Sequence, residues 1–374
     1  MWVKAFFVCI LVFSFVLPCT AETDVGLGDM ISSLPDGIYE LLPDEFLDGS
    51  TQGAAEGINK LLDGKYFAEL FRGLFFGGLE AAVPTLLSVF TLLVAAALLA
   101  AFKDCLRSDA LSGAVSLASS AVLSALCVRG AAAHIEAVEL FLERLSQLCL
   151  AMLPVMGTVL AMGGSGGAAV ATSGGVLMIL GVMEAVVGEA FGSIVGISLA
   201  LSVANIFSSK FRLSAVARAV RRGFGVFFGV VMSLLCFIVS LKIGIASAGD
   251  SMAMRGARLF AQNAIPLVGS AIGSTFGTLA TSLSYIKSVS GTAGAVFVLL
   301  LALPVFIKVW AYRCGLVLLS GAAEMLGCDR ERELLTGVVS IYGYMLAIIA
   351  VSAAVFLIIL TLFTQTALAF GGGI

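Results

Sequence analysis

The chain has 374 residues, of which 60% are hydrophobic and only 12% charged, with a mean hydropathy of +1.10. That composition excludes an ordinary soluble domain, and a net charge of −3 argues against nucleic-acid binding. Forty-two glycines against seven prolines suit membrane helices, in which small residues let backbones approach closely.

The chain opens with one positive charge at Lys4, an apolar stretch at Ala5–Leu17 and small residues up to Ala21. This pattern reads as a secretory signal peptide over 1–21, cleaved after Ala21. Cleaved or kept as an anchor, it leaves residue 22 onward outside the cytoplasm. Residues 22–65 hold ten acids against Lys60 and Lys65 and form an acidic extracytoplasmic leader with a short helix near Ala54–Leu62. Tyr66–Leu79, with Phe67, Phe71 and Phe75 on one helical face, is expected to lie at the interface ahead of the first span.

From there on, Ala81–Phe102, Leu111–Val128, Leu148–Met183, Ala190–Ser209, Gly223–Leu241, Leu259–Ile286, Ser288–Ile307 and Leu334–Phe370 carry no Asp, Glu, Lys or Arg. A hydrocarbon core about 30 Å thick needs about 20 such residues in a helix. The expected fold is therefore an all-α polytopic integral membrane helix bundle, with about six full spans and two interrupted or re-entrant segments. Gly130–Leu150 is amphipathic and is expected on the outer surface. Leu148–Met183 is broken by Gly163–Gly167, which allows a re-entrant hairpin followed by a span at 190–207, or three ordinary spans.

Lys210, Arg212, Arg218, Arg221 and Arg222 occur with no acid between Ser208 and Gly223, which places that segment in the cytoplasm as a candidate docking surface. Gly223–Leu241 then runs outward, Lys242–Gln262 is expected as an outer loop or surface helix, and Ser288–Ile307 returns inward. A charge knot at Asp329–Glu333 precedes a final span near Gly337–Phe363.

Offset by 112 residues, Leu153–Leu160 aligns with Ile265–Ile272. This is a candidate parallel repeat: residues 66–128 hold the interfacial helix and two spans, 129–241 the first unit and 242–374 the second.

Chemistry is sparse. His134 is the one histidine, which leaves little for a metal site or a His-dependent triad. Gly163-Gly164-Ser165-Gly166 matches the GxSG of intramembrane serine proteases, yet a flexible break accounts for it better. The cysteines beyond the signal show no CxxC pairing, and no nucleotide motif is present. No cofactor and no enzymatic activity are expected. Glu184 and Glu189 are candidate intramembrane or interfacial acids.

Asp250–Phe260 running into Ile265–Ala271, together with Ala204–Phe207 ahead of Lys210-Phe211 and Leu153-Pro154 with its trailing glycines, resembles the stage III sporulation protein AE family. The resemblance implies a non-enzymatic membrane subunit of a multiprotein channel linking mother cell and forespore, seated in the mother-cell membrane. It also implies partners: other sporulation-complex membrane proteins, a secretion-type ATPase and ring-forming extracytoplasmic subunits. Pro154, Gly157, Pro266 and Gly269 become candidate conduit or bundle-core elements, beside Gly163 and Gly166 of the glycine run. The alternative is an autonomous secondary transporter built on the two-fold repeat.

Overall fold

The computed structural model describes residues 51–62, 64–103, 109–185, 190–207, 213–264, 269–366 and 368. These form eight helices and no strand: α1 (Thr51–Leu62), α2 (Gly64–Lys103), α3 (Asp109–Met162), α4 (Gly166–Met183), α5 (Ala190–Phe207), α6 (Leu213–Ala264), α7 (Gly269–Met325) and α8 (Asp329–Gln365). The all-α polytopic expectation holds, since six of these helices are long and apolar enough to cross a membrane. The signal peptide and residues 22–50 of the acidic leader lie outside the described residues.

Runs of Ala, Leu, Val and Phe without charge leave the backbone no partner in lipid except itself, so helix is the one open-chain solution. The helices are nevertheless longer than a bilayer requires. α3, α6 and α7 have 54, 52 and 57 residues. At 1.5 Å rise per residue they reach about 80 Å, well over twice the hydrocarbon thickness. Gly130–Leu150 is thus not a separate surface helix: Val138, Phe141, Leu145 and Leu148 are at most 1% exposed inside α3, while Glu136, Glu139 and Glu143 face outward. Its amphipathicity reports a core-facing stripe, not a membrane surface. Lys242–Gln262 likewise continues α6 rather than forming an outer loop or a helix of its own.

Side-chain contacts fix the helix directions. Gly157 on α3 faces Ser173, and Glu139 faces Gly192, so the partners on α3 move backwards as the chain advances through α4 and α5. Both helices therefore run antiparallel to α3 and follow one another as a single split rod. The same rod packs along α6, where Gly167 meets Asp250 and Gly175 meets Val239. The hairpin at Gly163–Gly167 is present, but 190–207 extends its second arm instead of crossing independently. α7 then descends against α8, which rises parallel to α3 and α6: Ser119 and Ser120 meet Glu331, and His134 meets Tyr342. α7 and α8 share the most extensive interface of the bundle. α2 descends beside α7, with Leu86 against Gly315.

The result is six rods of alternating sense: α2, α3, the α4–α5 pair, α6, α7 and α8. One end of the bundle gathers the end of α2, the starts of α3 and α6 and the α7–α8 turn. The other end gathers the α3–α4 turn and the C-terminus of α8. The two proposed repeat units share an up-down-up order, in which α7 corresponds to the split α4–α5 rod. Shifted by 112 residues, the Gly163–Ser165 turn falls inside continuous α7.

Proline does not interrupt these helices. Pro84, Pro154 and Pro304 all lie inside them. Pro154, expected as a break together with Gly157, is an exposed residue of unbroken α3. One turn later the Thr158 hydroxyl donates to the Pro154 and Val155 carbonyls at 2.9 and 3.1 Å. Ser88 does the same for Pro84 at 2.9 Å. These hydroxyls add bonds at the prolines' own turn, whereas the acceptor each proline frees is the carbonyl four residues earlier, a loss that membrane helices tolerate.

Candidate functional site

Two turns between helices among the described residues are made by glycine. Gly164 has φ 77°, in the left-handed region. Its amide donates to Ala161 O at 3.1 Å and the Ser165 amide to Leu160 O at 2.9 Å, a Schellman ending for α3. The α7–α8 turn repeats the device: Gly327 has φ 71°, and Cys328 N donates to Ala323 O at 2.9 Å. Gly163 is buried against Leu368, where a Cβ would stand 2.5 Å from Cδ2. Gly166 opens α4 with nothing near it.

Asp250 closes this turn from another helix. Its carboxylate accepts from Gly167 N at 3.2 Å and Ala168 N at 2.8 Å, first-turn amides of α4 that have no intrahelical acceptor. Asp250 is a cap supplied in trans, stabilised by two backbone amides and by the positive end of α4.

The middle of the bundle carries an aromatic cluster around His134, which is half-buried in α3 rather than on a surface segment. Its Nδ1 lies 2.7 Å from Gly130 O and 3.1 Å from the Tyr342 hydroxyl. Because a carbonyl can only accept, Nδ1 carries the proton. The ring also packs on Tyr312, with centroids 4.7 Å apart. A Cβ at Gly130 would lie 2.6 Å from the Tyr312 hydroxyl, so the approach of α3 to α7 requires glycine there. Beside this cluster opens a cleft of about 490 Å³ lined by Arg129, His134 and Lys308, with no carboxylate.

A second cleft, of about 1000 Å³, lies between α6, α7 and α8. Arg218, Arg221 and Arg222 reach it from the first turns of α6 and Arg313 from α7, and no carboxylate among the described residues lines it. Arg221 is 4% exposed and, among the described residues, hydrogen-bonds only the Ser340 hydroxyl, to which Nη2 donates at 3.2 Å. Its Nε and Nη1 have no hydrogen-bond partner, nor do Arg313 Nε and the Tyr344 hydroxyl. The guanidinium of Arg313 lies over Gly343.

Two further buried charges are satisfied. Glu331 accepts from Ser119 and Ser120 hydroxyls at 2.9 and 3.1 Å in the first turn of α8. Lys287 donates to the Thr366 carbonyl at the other end of α8 and lies 5.9 Å from the Phe363 ring. An acid at the N-terminus and a base at the C-terminus both complement the dipole of α8. No cluster of three or more His, Cys, Asp or Glu able to hold a metal exists among the described residues.

The family profile described as stage III sporulation protein AE (spore_III_AE) matches residues 51–367. The chain belongs to the stage III sporulation protein AE family. No curated protein and no solved structure matches it. The family match covers every described helix.

Of the predicted site residues, the structure draws Arg218, Arg221 and Arg222 together, with Arg221 turned into the protein rather than presented for docking. Glu184 is exposed just beyond α4. Gly157 lies at the α3–α4 contact and Gly269 begins α7. Pro266, Glu189, Lys210 and Arg212 lie outside the described residues. Sequence reasoning missed Arg313, Tyr344, Lys287 and the Asp250 cap. Lys287 had a signal, being the single charge between two uncharged runs of twenty residues or more.

Proposed function

We propose that this protein is a non-enzymatic membrane subunit of a multiprotein channel or secretion-like complex that links mother cell and forespore during endospore formation. The reading is carried by the family match over residues 51–367, which supports a role in stage III of sporulation. The rods support it too, because helices of about 80 Å leave ordered protein beyond a 30 Å hydrocarbon layer for partners to hold. In this reading the protein sits in the mother-cell membrane facing the forespore. Its partners are the other membrane proteins of the complex, a secretion-type ATPase and ring-forming extracytoplasmic subunits. Lys210 and Arg212, just ahead of α6 in the sequence, together with Arg218 and Arg222 on α6, form the surface offered to the ATPase.

One observation favours a second reading, an autonomous secondary transporter. The two halves share an up-down-up order of rods, as a parallel two-fold repeat requires.

A clean deletion in the native endospore-forming host, imaged with a membrane dye through sporulation, separates the two. The sporulation-channel reading expects engulfed forespores that shrink and fail, rescued by the intact gene. Heat-resistant spores at normal numbers from the deletion overturn it and leave the transporter.

A further inference from the structure

We propose that the arginine cleft between α6, α7 and α8 is a binding site for a phosphate group, either the headgroup of an anionic lipid or a free phosphate anion. Four guanidinium groups, from Arg218, Arg221, Arg222 and Arg313, converge on one cleft with no carboxylate among the described residues of its lining. Arg218, Arg221 and Arg222 share one side of α6 at helical spacing, so they repel one another unless an anion lies between them.

Arg221 is the decisive residue. It is 4% exposed, and two of its three nitrogens have no partner. A buried guanidinium left with unmade hydrogen bonds is costly. Arg313 adds a second buried donor at Nε and the Tyr344 hydroxyl a third. Planar guanidinium forks match phosphate oxygens better than ammonium groups do, and this cleft is lined by arginine without lysine.

The surroundings suit either source. Just past the arginines, α6 presents an outward stripe of Val226, Val230, Leu234, Phe237, Leu241 and Ile245, all at least 49% exposed. An apolar stripe of that kind faces acyl chains, which sets the arginines at headgroup level. The cleft is also roomy enough, at about 1000 Å³, to admit a free anion with its hydration.

The test uses full-length protein purified in a zwitterionic-lipid detergent mixture, titrated with phosphatidylglycerol, with phosphatidylcholine and with inorganic phosphate, following thermal unfolding. Saturable stabilisation by phosphatidylglycerol but not phosphatidylcholine identifies a lipid headgroup, and stabilisation by inorganic phosphate alone identifies a free anion. Arg221→Gln with Arg313→Gln weakens the effective ligand by about tenfold or more. Arg218→Gln with Arg222→Gln, at exposed positions that do not endanger folding, weakens it as well. Arg72→Gln, on α2 and away from the cleft, binds as the intact protein does. No shift with any titrant, or equal binding by intact protein and both double variants, overturns the proposal.

Discussion

Single residues decide how closely these helices meet. At Gly130 an added methyl would stand 2.6 Å from the Tyr312 hydroxyl, on a ring held at 2% exposure between His134 and Tyr342. Gly130→Ala is expected to cost about 1–3 kcal/mol through overpacking, read as a lower melting temperature in detergent. Adding Tyr312→Phe removes the clashing oxygen and should restore most of the loss. A double variant no better than Gly130→Ala would show that the methyl meets something else. Asp250 offers a second test. Asp250→Ala removes both hydrogen bonds to the start of α4 and is expected to cost about 1–2 kcal/mol, as loss of a helix cap does. Unchanged melting would mean the trans cap contributes nothing. Asp250 also belongs to the stretch that carried the family resemblance, so its backbone role gives that stretch a physical reason. The sequence could not show it, because the capped amides lie more than eighty positions away.

At the scale of elements, neighbouring glycines in α4 behave differently. Gly174 has open space around it, whereas a Cβ at Gly175 would meet Val239 Cγ1 at 2.6 Å. Gly175→Ala is therefore expected to destabilise by about 1–3 kcal/mol, while Gly174→Ala is neutral or slightly stabilising through helix propensity. Melting curves of the two variants side by side check this, and equal behaviour would contradict the α4–α6 register. Pro154 gives the opposite expectation from a helix break. Because α3 runs through it and it is exposed, Pro154→Ala should leave the melting temperature unchanged or raise it. A sharp loss on Pro154→Ala would restore the proline to a positioning role. Helix existence was legible here from uncharged runs, as was the hairpin from Gly163–Gly167. Helix continuity was not. Charges at Glu136, Glu139 and Glu143 look like the edge of a span, but they occupy the outward face of a helix longer than the membrane. Local composition shows which residues are polar, not whether the helix stops among them.

For the whole molecule, charge placement and rod directions agree. The basic start of α6 and the charged start of α8 lie at one end because those helices run parallel, as Arg221 with Ser340 and Phe224 with Tyr344 show. That common end is the one the sequence assigns to the cytoplasm. The candidate site was legible in half: three arginines of the cleft stood out as a basic run. Arg313 and Tyr344 come from α7 and α8 and join them through folding alone.

The central claim is that this chain works inside a sporulation complex rather than alone. Affinity-tagged full-length protein, solubilised from sporulating cells and resolved by size with its composition read by mass spectrometry, tests it most directly. Recovery in one large particle with a secretion-type ATPase and ring-forming extracytoplasmic subunits at fixed ratios is the predicted result. A particle holding this chain alone, from cells in which those partners are expressed, would contradict it.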